Sequence, residues 1–118
     1  MRAAPMTAAK RFERAMRLMR RHDPQSQEDG FRLLLPHAAD HVGELLQAFA
    51  DEHDHGLRCW LLELIGAARS PAALPLLVEQ LHGDDTSLRE WAARGLRLLD
   101  TKPAREHLWR ARADGLIG

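Results

Sequence analysis

A segment of this chain recurs 31 positions later, and the recurrence constrains the fold more than any other feature. The segment LRCWLLELIGAAR at 57–69 is followed by LREWAARGLRLLD at 88–100, which aligns Trp60 with Trp91. Periods of roughly 20–50 residues are typical of arrays in which each unit supplies part of its neighbour's core. The sequence therefore predicts a stack of similar units whose function lies on a surface.

Apolar residues recur at helical spacing throughout the chain, and no stretch shows sustained strand alternation. Seven helices are predicted, over about 6–21, 26–35, 39–50, 56–68, 71–82, 87–99 and 104–114. Short connections predict antiparallel hairpins that pair the second helix with the third, the fourth with the fifth and the sixth with the seventh. The predicted fold is an all-α α-solenoid of about three hairpins, preceded by one capping helix.

The whole chain, 1–118, is predicted to be a single domain. Residues 1–23 would form the N-terminal cap, and 24–52, 53–83 and 84–114 would form the repeats. The cap carries a narrow apolar face of Ala9, Phe12, Met16 and Met19, opposite the basic side chains of Lys10, Arg11, Arg14, Arg17 and Arg21.

Acidic turn residues, a hydrophobe followed by arginine, and a proline turn accompany the repeat, at Asp84–Asp85, Leu88–Arg89 and Ser70–Pro71. In these features the chain resembles the short HEAT-like repeat proteins first noted in phycobilin lyases. The resemblance implies stacked helical hairpins and leaves function open, because scaffolds, enzymes and nucleic-acid proteins share the architecture. A weaker third copy is predicted over 26–50, with Val42, Leu45, Leu46 and Ala50 placed 31 positions before Ala73, Leu76, Leu77 and Leu81.

Charge is balanced overall but unevenly distributed. Residues 1–22 hold seven basic groups against Glu13, and residues 23–56 hold eight acidic groups against Arg32. This layout favours a partner of complementary charge, whereas a net charge of zero argues against strong nonspecific nucleic-acid binding. The single cysteine, Cys59, is predicted to fill the core. The sequence shows no secretory or membrane-spanning pattern, so the chain is predicted to be cytoplasmic.

Seven histidines raise the question of a metal site, most sharply in the run 51–55, DEHDH, where His53 and His55 are two residues apart. A third ligand would have to come from His22 or His82, since zinc sites need three or four convergent donors. No second paired ligand motif exists, and a polar run between helices is the usual composition of a turn. We predict a solvated turn with no metal, and no cofactor elsewhere.

Catalysis is not predicted. The chain has no His-Glu dipeptide, the motif of the dinuclear iron hydroxylases among HEAT-like proteins, and no Gly-rich phosphate loop. Ser26, Ser70 and Ser87 each lie where a helix is predicted to begin, so capping accounts for them better than nucleophilic chemistry. A phycobilin-lyase-like or metal-dependent activity is the least favoured hypothesis.

The favoured hypothesis is a noncatalytic protein-binding module, such as a small bacterial adaptor or an immunity-type inhibitor, that binds through the groove of its second helices. The candidate residues are Asp40, Glu44, Gln47, Glu79, Gln80, Arg105, Glu106 and Arg110. The alternative is nucleic-acid binding through the arginine-rich helices. Trp60, Trp91 and Trp109 are all predicted to pack in the core, so no aromatic platform for bases is expected.

Overall fold

The structure, a computed structural model, describes residues 6–118; residues 1–5 of the predicted cap lie outside the described part. The described residues are all-helical. Their seven α-helices are α1 (Ala8–Met19), α2 (Pro24–Leu34), α3 (Val42–Asp51), α4 (His55–Ala67), α5 (Leu74–Leu81), α6 (Thr86–Leu99) and α7 (Lys102–Ala113). Two 3₁₀ segments, Leu35–His41 and Pro71–Ala73, precede α3 and α5.

Prolines explain most differences between the predicted and observed helix bounds. Pro24 stands in the first turn of α2, where its missing N–H costs nothing, so this helix begins earlier than predicted. Pro36 cannot donate a backbone hydrogen bond, and the chain passes through 3₁₀ turns until α3 begins at Val42 rather than near residue 39. Pro75 stands in the first turn of α5, which begins at Leu74 rather than near residue 71.

An aspartate at a fixed spacing begins the first helix of each unit. Asp23, Asp54 and Asp85 are the N-caps of α2, α4 and α6, and each side chain accepts a hydrogen bond from the backbone N–H three residues later. These caps also correct the role predicted for Ser26 and Ser87, which lie inside the first turns; only Ser70 among the three serines is an N-cap. The 31-residue period is thus a period of local structure.

A side-chain hydrogen bond to the carbonyl six residues earlier recurs with the same spacing. Arg58 Nη1 donates to the carbonyl of Glu52 at 2.8 Å, and Arg89 Nη1 donates to the carbonyl of Gly83 at 2.9 Å. In the first unit Gln27 Nε2 donates to Arg21 O at 2.6 Å, again six residues back. Gln27 thus supplies this hydrogen bond in the unit that lacks the hydrophobe–Arg pair. In α2, α4 and α6 alike, a side chain of the helix is hydrogen-bonded to the turn that precedes it.

The second helix of the first unit is out of register with the predicted alignment. Ala50 is exposed, whereas Leu81, to which it was matched, is fully buried. Leu45 and Phe49 instead share the burial of Leu77 and Leu81, 32 positions later. The other two units turn through a left-handed residue, Arg69 (φ 49°) or Asp100 (φ 51°). The first unit uses the 3₁₀ segment Leu35–His41 instead, and its connection is one residue shorter.

The most extensive helix–helix contacts are those of α1 with α2, α4 with α6, and α5 with α6. The predicted hairpin partners α4 and α5 contact each other less extensively than either contacts α6. The helices α4 and α6 cross at Gly66 and Gly95, where a Cβ added to Gly66 would lie only 2.9 Å from Gly95 Cα. Two glycines allow the backbones of α4 and α6 to approach more closely than helices with side chains at the crossing can.

The core runs along the length of an elongated molecule of 59 × 29 × 20 Å. Its radius of gyration is 15.1 Å, above the roughly 13.5 Å of a compact domain of this length. Leucines and alanines dominate the interior, and equivalent positions such as Leu34, Ile65 and Leu96 are all buried.

Candidate functional site

Three of the predicted surface residues occupy one repeat position. Gln47, Glu79 and Arg110 lie at equivalent places on α3, α5 and α7, and all three are exposed. Gln47 donates to the carboxylate of Asp51 on the same helix. The position is therefore neutral, acidic and basic in successive units, so it marks a surface that differs from one unit to the next.

Glu44 has a structural role besides its predicted one. Its carboxylate accepts a hydrogen bond at 2.7 Å from Nδ1 of His41, whose side chain is fully buried. On the other side of the ring, Arg11 Nε donates to His41 Nε2 at 3.3 Å. Arg11 is thus half-buried against the 3₁₀ segment rather than on the outer face of the cap. Asp40 is exposed, 3.8 Å from the ring of His37.

The remaining predicted residues lie on α5 and α7. Gln80 is half-buried, whereas Arg105 and Glu106 are exposed. Arg105 Nη1 donates to the carbonyl of Asp100 at 2.6 Å and lies 3.1 Å from its carboxylate. Of the eight predicted residues, the structure brings Arg105, Glu106 and Arg110 into a single depression on α7.

The outer face of α7 carries this depression, which has a volume of about 650 Å³ and surrounds Trp109. The tryptophan side chain is 71% exposed, so the prediction that Trp109 packs in the core is wrong. Five basic residues line the depression against two acidic ones: Arg97, Lys102, Arg105, Arg110 and Arg112, with Asp100 and Glu106. We call this set, with Trp109, the α7 patch. Within residues 6–118, only Arg105 of its basic side chains lies within ion-pair distance of a carboxylate.

The sequence of α7 explains how the α7 patch is presented. Ala104, Leu108 and Ala111 form the buried stripe at helical spacing, which leaves Trp109 on the other side. Thr101 caps the helix start, and Gly115, with φ 74°, ends the helix. There the N–H of Leu116 donates to Ala111 O, closing a Schellman motif. Both ends of α7 are therefore fixed, and the patch stands on a rigid element.

The histidine run at 51–55 spans the last residue of α3, a three-residue connection and the first residue of α4. Glu52 Oε2 accepts from the backbone N–H groups of His53 and Asp54, and Asp54 caps α4. Within the described residues, no group of three or more His, Cys, Asp or Glu side chains is placed to hold a metal ion. His55 turns instead toward the next unit, where its Nε2 lies 2.9 Å from Asp85 Oδ2.

Cys59, His55 and Asp85 come together in a way the sequence did not predict. The Cys59 thiol is half-buried, and its Sγ lies 3.9 Å from His55 Nε2, the same nitrogen that faces Asp85. A relay from thiol to carboxylate needs opposite ring nitrogens, so this imidazole cannot act as a positioned base for the thiol. Burial, reinforced by the Asp85 charge, raises the pKa of Cys59. The cluster lacks the features of an activated nucleophile.

Opposite charges also line one cleft at equivalent positions 31 residues apart. Glu63 on α4 and Arg94 on α6 line a small cleft of about 130 Å³ beside Trp91. Burial raises the pKa of Glu63, and the nearby Arg94 charge partly opposes this shift. The pairing could have been found in the sequence by asking where the two copies differ in charge, the same signal that separates Glu79 from Arg110.

The described residues thus define an all-α protein in which the aspartate N-caps of α2, α4 and α6 recur with the 31-residue period. A scan against protein-family models matches no family, and searches of curated proteins and of solved structures find no match. The resemblance to HEAT-like repeats therefore remains a prediction from the sequence. Among residues 6–118, no helix combines the length and apolar character that a membrane crossing requires.

Proposed function

We propose that this chain is a noncatalytic protein-binding module of the HEAT-like type, an adaptor or inhibitor that uses the surface of its second helices. The observation that carries the proposal is Trp109, a large apolar side chain left 71% exposed among arginines. Tryptophan and arginine are the residues that most often dominate binding energy at protein interfaces. A cytoplasmic location is part of the proposal, supported by the single unpaired thiol.

The proposed surface extends from the α7 patch along α5 to α3, through Glu79 and Gln47. The elements that carry these residues are neighbours in space, since α5 lies against α7 and the Pro71–Ala73 segment lies against α3. The exposed side chains at the shared repeat position differ in charge, which gives the surface a pattern that a partner can recognise. The α7 patch supplies the affinity in this proposal, and the α5 and α3 residues supply selectivity.

Photo-crosslinking in an extract of the source organism tests this function. A benzophenone amino acid replaces Arg110 in one protein and Arg14, on the exposed side of α1, in the other. We expect protein adducts from position 110 only, and their loss when Trp109→Ser is added. Equal adducts from both positions, or adducts that persist with Trp109→Ser, would refute the proposed site.

The substitution Glu79→Lys tests whether the proposed surface extends beyond the α7 patch onto α5. This side chain is exposed, so its reversal should change the partner set without unfolding the protein; Glu44→Lys would instead remove the His41 hydrogen bond. An unchanged partner set would limit the interface to α7.

Nucleic-acid binding is the second candidate function, because an exposed tryptophan beside basic groups is the combination used to stack bases and hold phosphates. Its test is nuclease treatment of the same extract before crosslinking. Protein adducts that survive the treatment favour the protein-binding function, whereas their disappearance favours nucleic acid.

A further inference from the structure

Trp109 occupies a repeat position that is covered in the other units. Its equivalents are Leu46 on α3 and Val78 on α5, and both are half-buried against the core. α5 lies against α6 and α7 of the following unit, whereas no helix of residues 6–118 follows α7. The α7 patch therefore has the character of a stacking face, apolar at its centre and rigid.

We propose that the α7 patch binds a helical segment of a different protein, acidic along its flanks, which packs on α7 as a further unit of the stack would. This inference rests on the proposed binding function and specifies its partner. The depression of about 650 Å³ beside Trp109 can receive the apolar side chains of such a segment. Packing an amphipathic helix into an apolar groove is a common mode of peptide recognition.

Charge selects the acidic partner. Arg97, Lys102, Arg110 and Arg112 have no carboxylate within ion-pair distance among the described residues, although all line the patch. Carboxylates on the flanks of a docked helix would meet these cations, while the apolar seam covers Trp109. Complementarity of this kind raises the association rate and excludes partners of like charge.

Repulsion between basic groups excludes end-to-end stacking of two copies of this chain. A second α7 patch would bring its own five basic residues against the first. The outer face of α1 is no better as a partner, because Lys10, Arg14 and Arg17 are exposed there and Arg21 is exposed just beyond the end of the helix. Like charges at either contact oppose end-to-end association of two copies, and the proposal therefore commits to an acidic helix of a different protein.

Three synthetic peptides serve as probes. The first is an amphipathic helix with leucines at i, i+3, i+4 and i+7 and glutamates on both flanks. The second replaces every glutamate with lysine, and the third keeps the acidic composition but carries two prolines in its centre. Tryptophan emission reports binding, because Trp109 is exposed whereas Trp60 and Trp91 are half-buried.

We expect the acidic helix to bind at least tenfold more tightly than the lysine and proline peptides. Arg110→Glu with Arg112→Glu should weaken it tenfold or more, and Arg14→Glu, the matched control on α1, should leave it unchanged. Trp109→Phe should abolish the emission change, while fluorescence polarisation of a labelled peptide still detects binding. Circular dichroism of each variant confirms that the helices are retained.

Several results would overturn the inference: equal binding of the acidic and lysine helices, equal binding of the proline peptide, or no binding by any probe. Tighter binding of a 12-mer oligothymidine than of the acidic helix would overturn it in favour of nucleic acid. If position 110 still crosslinks a protein in the extract while the acidic helix fails to bind, this inference fails and the proposed function stands. If both experiments fail, both proposals are wrong.

Discussion

The crossing of α4 and α6 at Gly66 and Gly95 should be among the least tolerant places in this fold. A methyl group at Gly66 would lie 2.9 Å from Gly95 Cα, whereas carbon atoms pack best at about 3.5–4.0 Å. Because both partners are helix backbone, α6 would have to move by roughly 0.6–1.1 Å relative to α4. That movement would disturb Leu61 and Leu96, which are fully buried.

The magnitude for Gly66→Ala is the balance of two opposing terms. Overpacking typically costs about 1–3 kcal/mol, and contact with backbone justifies the upper end of this range. Alanine gains about 1 kcal/mol over glycine in a helix, which leaves a net loss of about 2 kcal/mol in the free energy of unfolding. With an unfolding entropy of about 2.1 cal/mol/K per residue, this loss corresponds to a Tm lower by about 8 °C for the 118-residue chain.

Gly43→Ala is the matched control. Gly43 is exposed near the start of α3, and an added Cβ meets nothing within 4 Å, so only the gain in helix propensity remains. We expect its Tm to rise by about 2–4 °C, since the gain is about 0.5–1 kcal/mol. Thermal unfolding followed by circular dichroism measures both variants in the same buffer. A Gly66→Ala protein as stable as Gly43→Ala would refute the reasoning, because the close approach of the two helices would then be tolerant of a side chain.

Two further predictions concern individual carboxylates. Asp54→Ala removes the N-cap of α4 and should lower the free energy of unfolding by about 1 kcal/mol, as measured by urea denaturation. Asp54→Asn can still accept the hydrogen bond from the Leu57 N–H and should lower it much less. Equal losses of stability in the two variants would count against capping. Burial raises the folded-state pKa of Glu63 above its ordinary value of 4.5, so the charged form destabilises the fold at pH values above that raised pKa. Thermal unfolding of Glu63→Gln should therefore show a higher Tm than the unchanged protein at pH 7, and this gain should disappear below pH 4.5. A Gln variant with a lower Tm at pH 7 would show that attraction to Arg94 outweighs the cost of burial.

The period and helical spacing of the sequence were sufficient to predict the helices themselves. Periodicity identified all seven, and the 31-residue offset of Leu57 and Leu88 corresponds to two equally buried positions in equivalent helices. The same offset placed the second helix of the first unit one residue out of register. That error arose because the left-handed residues of the other turns, Arg69 and Asp100, are not glycine, so composition gave no sign of them.

Trp109 shows why the candidate site was harder to predict than the fold. It aligns with Val78, and alignment alone says that an apolar residue at this position belongs to the core. Whether the position is covered depends on a neighbouring helix in the next unit, and α7 has no such neighbour among the described residues. The charged candidates on α7 were brought to the same depression as Trp109, yet nothing in their spacing indicated that the depression exists.

Because of the recurring aspartate caps, a whole unit could be removed from this chain without a new turn. Because Asp54 and Asp85 begin their helices in the same way, removal of 54–84 would place Asp85 directly after His53 with a matching cap. The new junction would also keep an arginine four residues beyond the aspartate, as Arg58 and Arg89 each stand now, to bind the carbonyls of the turn before it. Shortening or lengthening by whole units therefore requires no new turn, and Trp109 would keep its place on the helix that follows Asp100 whatever the number of units before it.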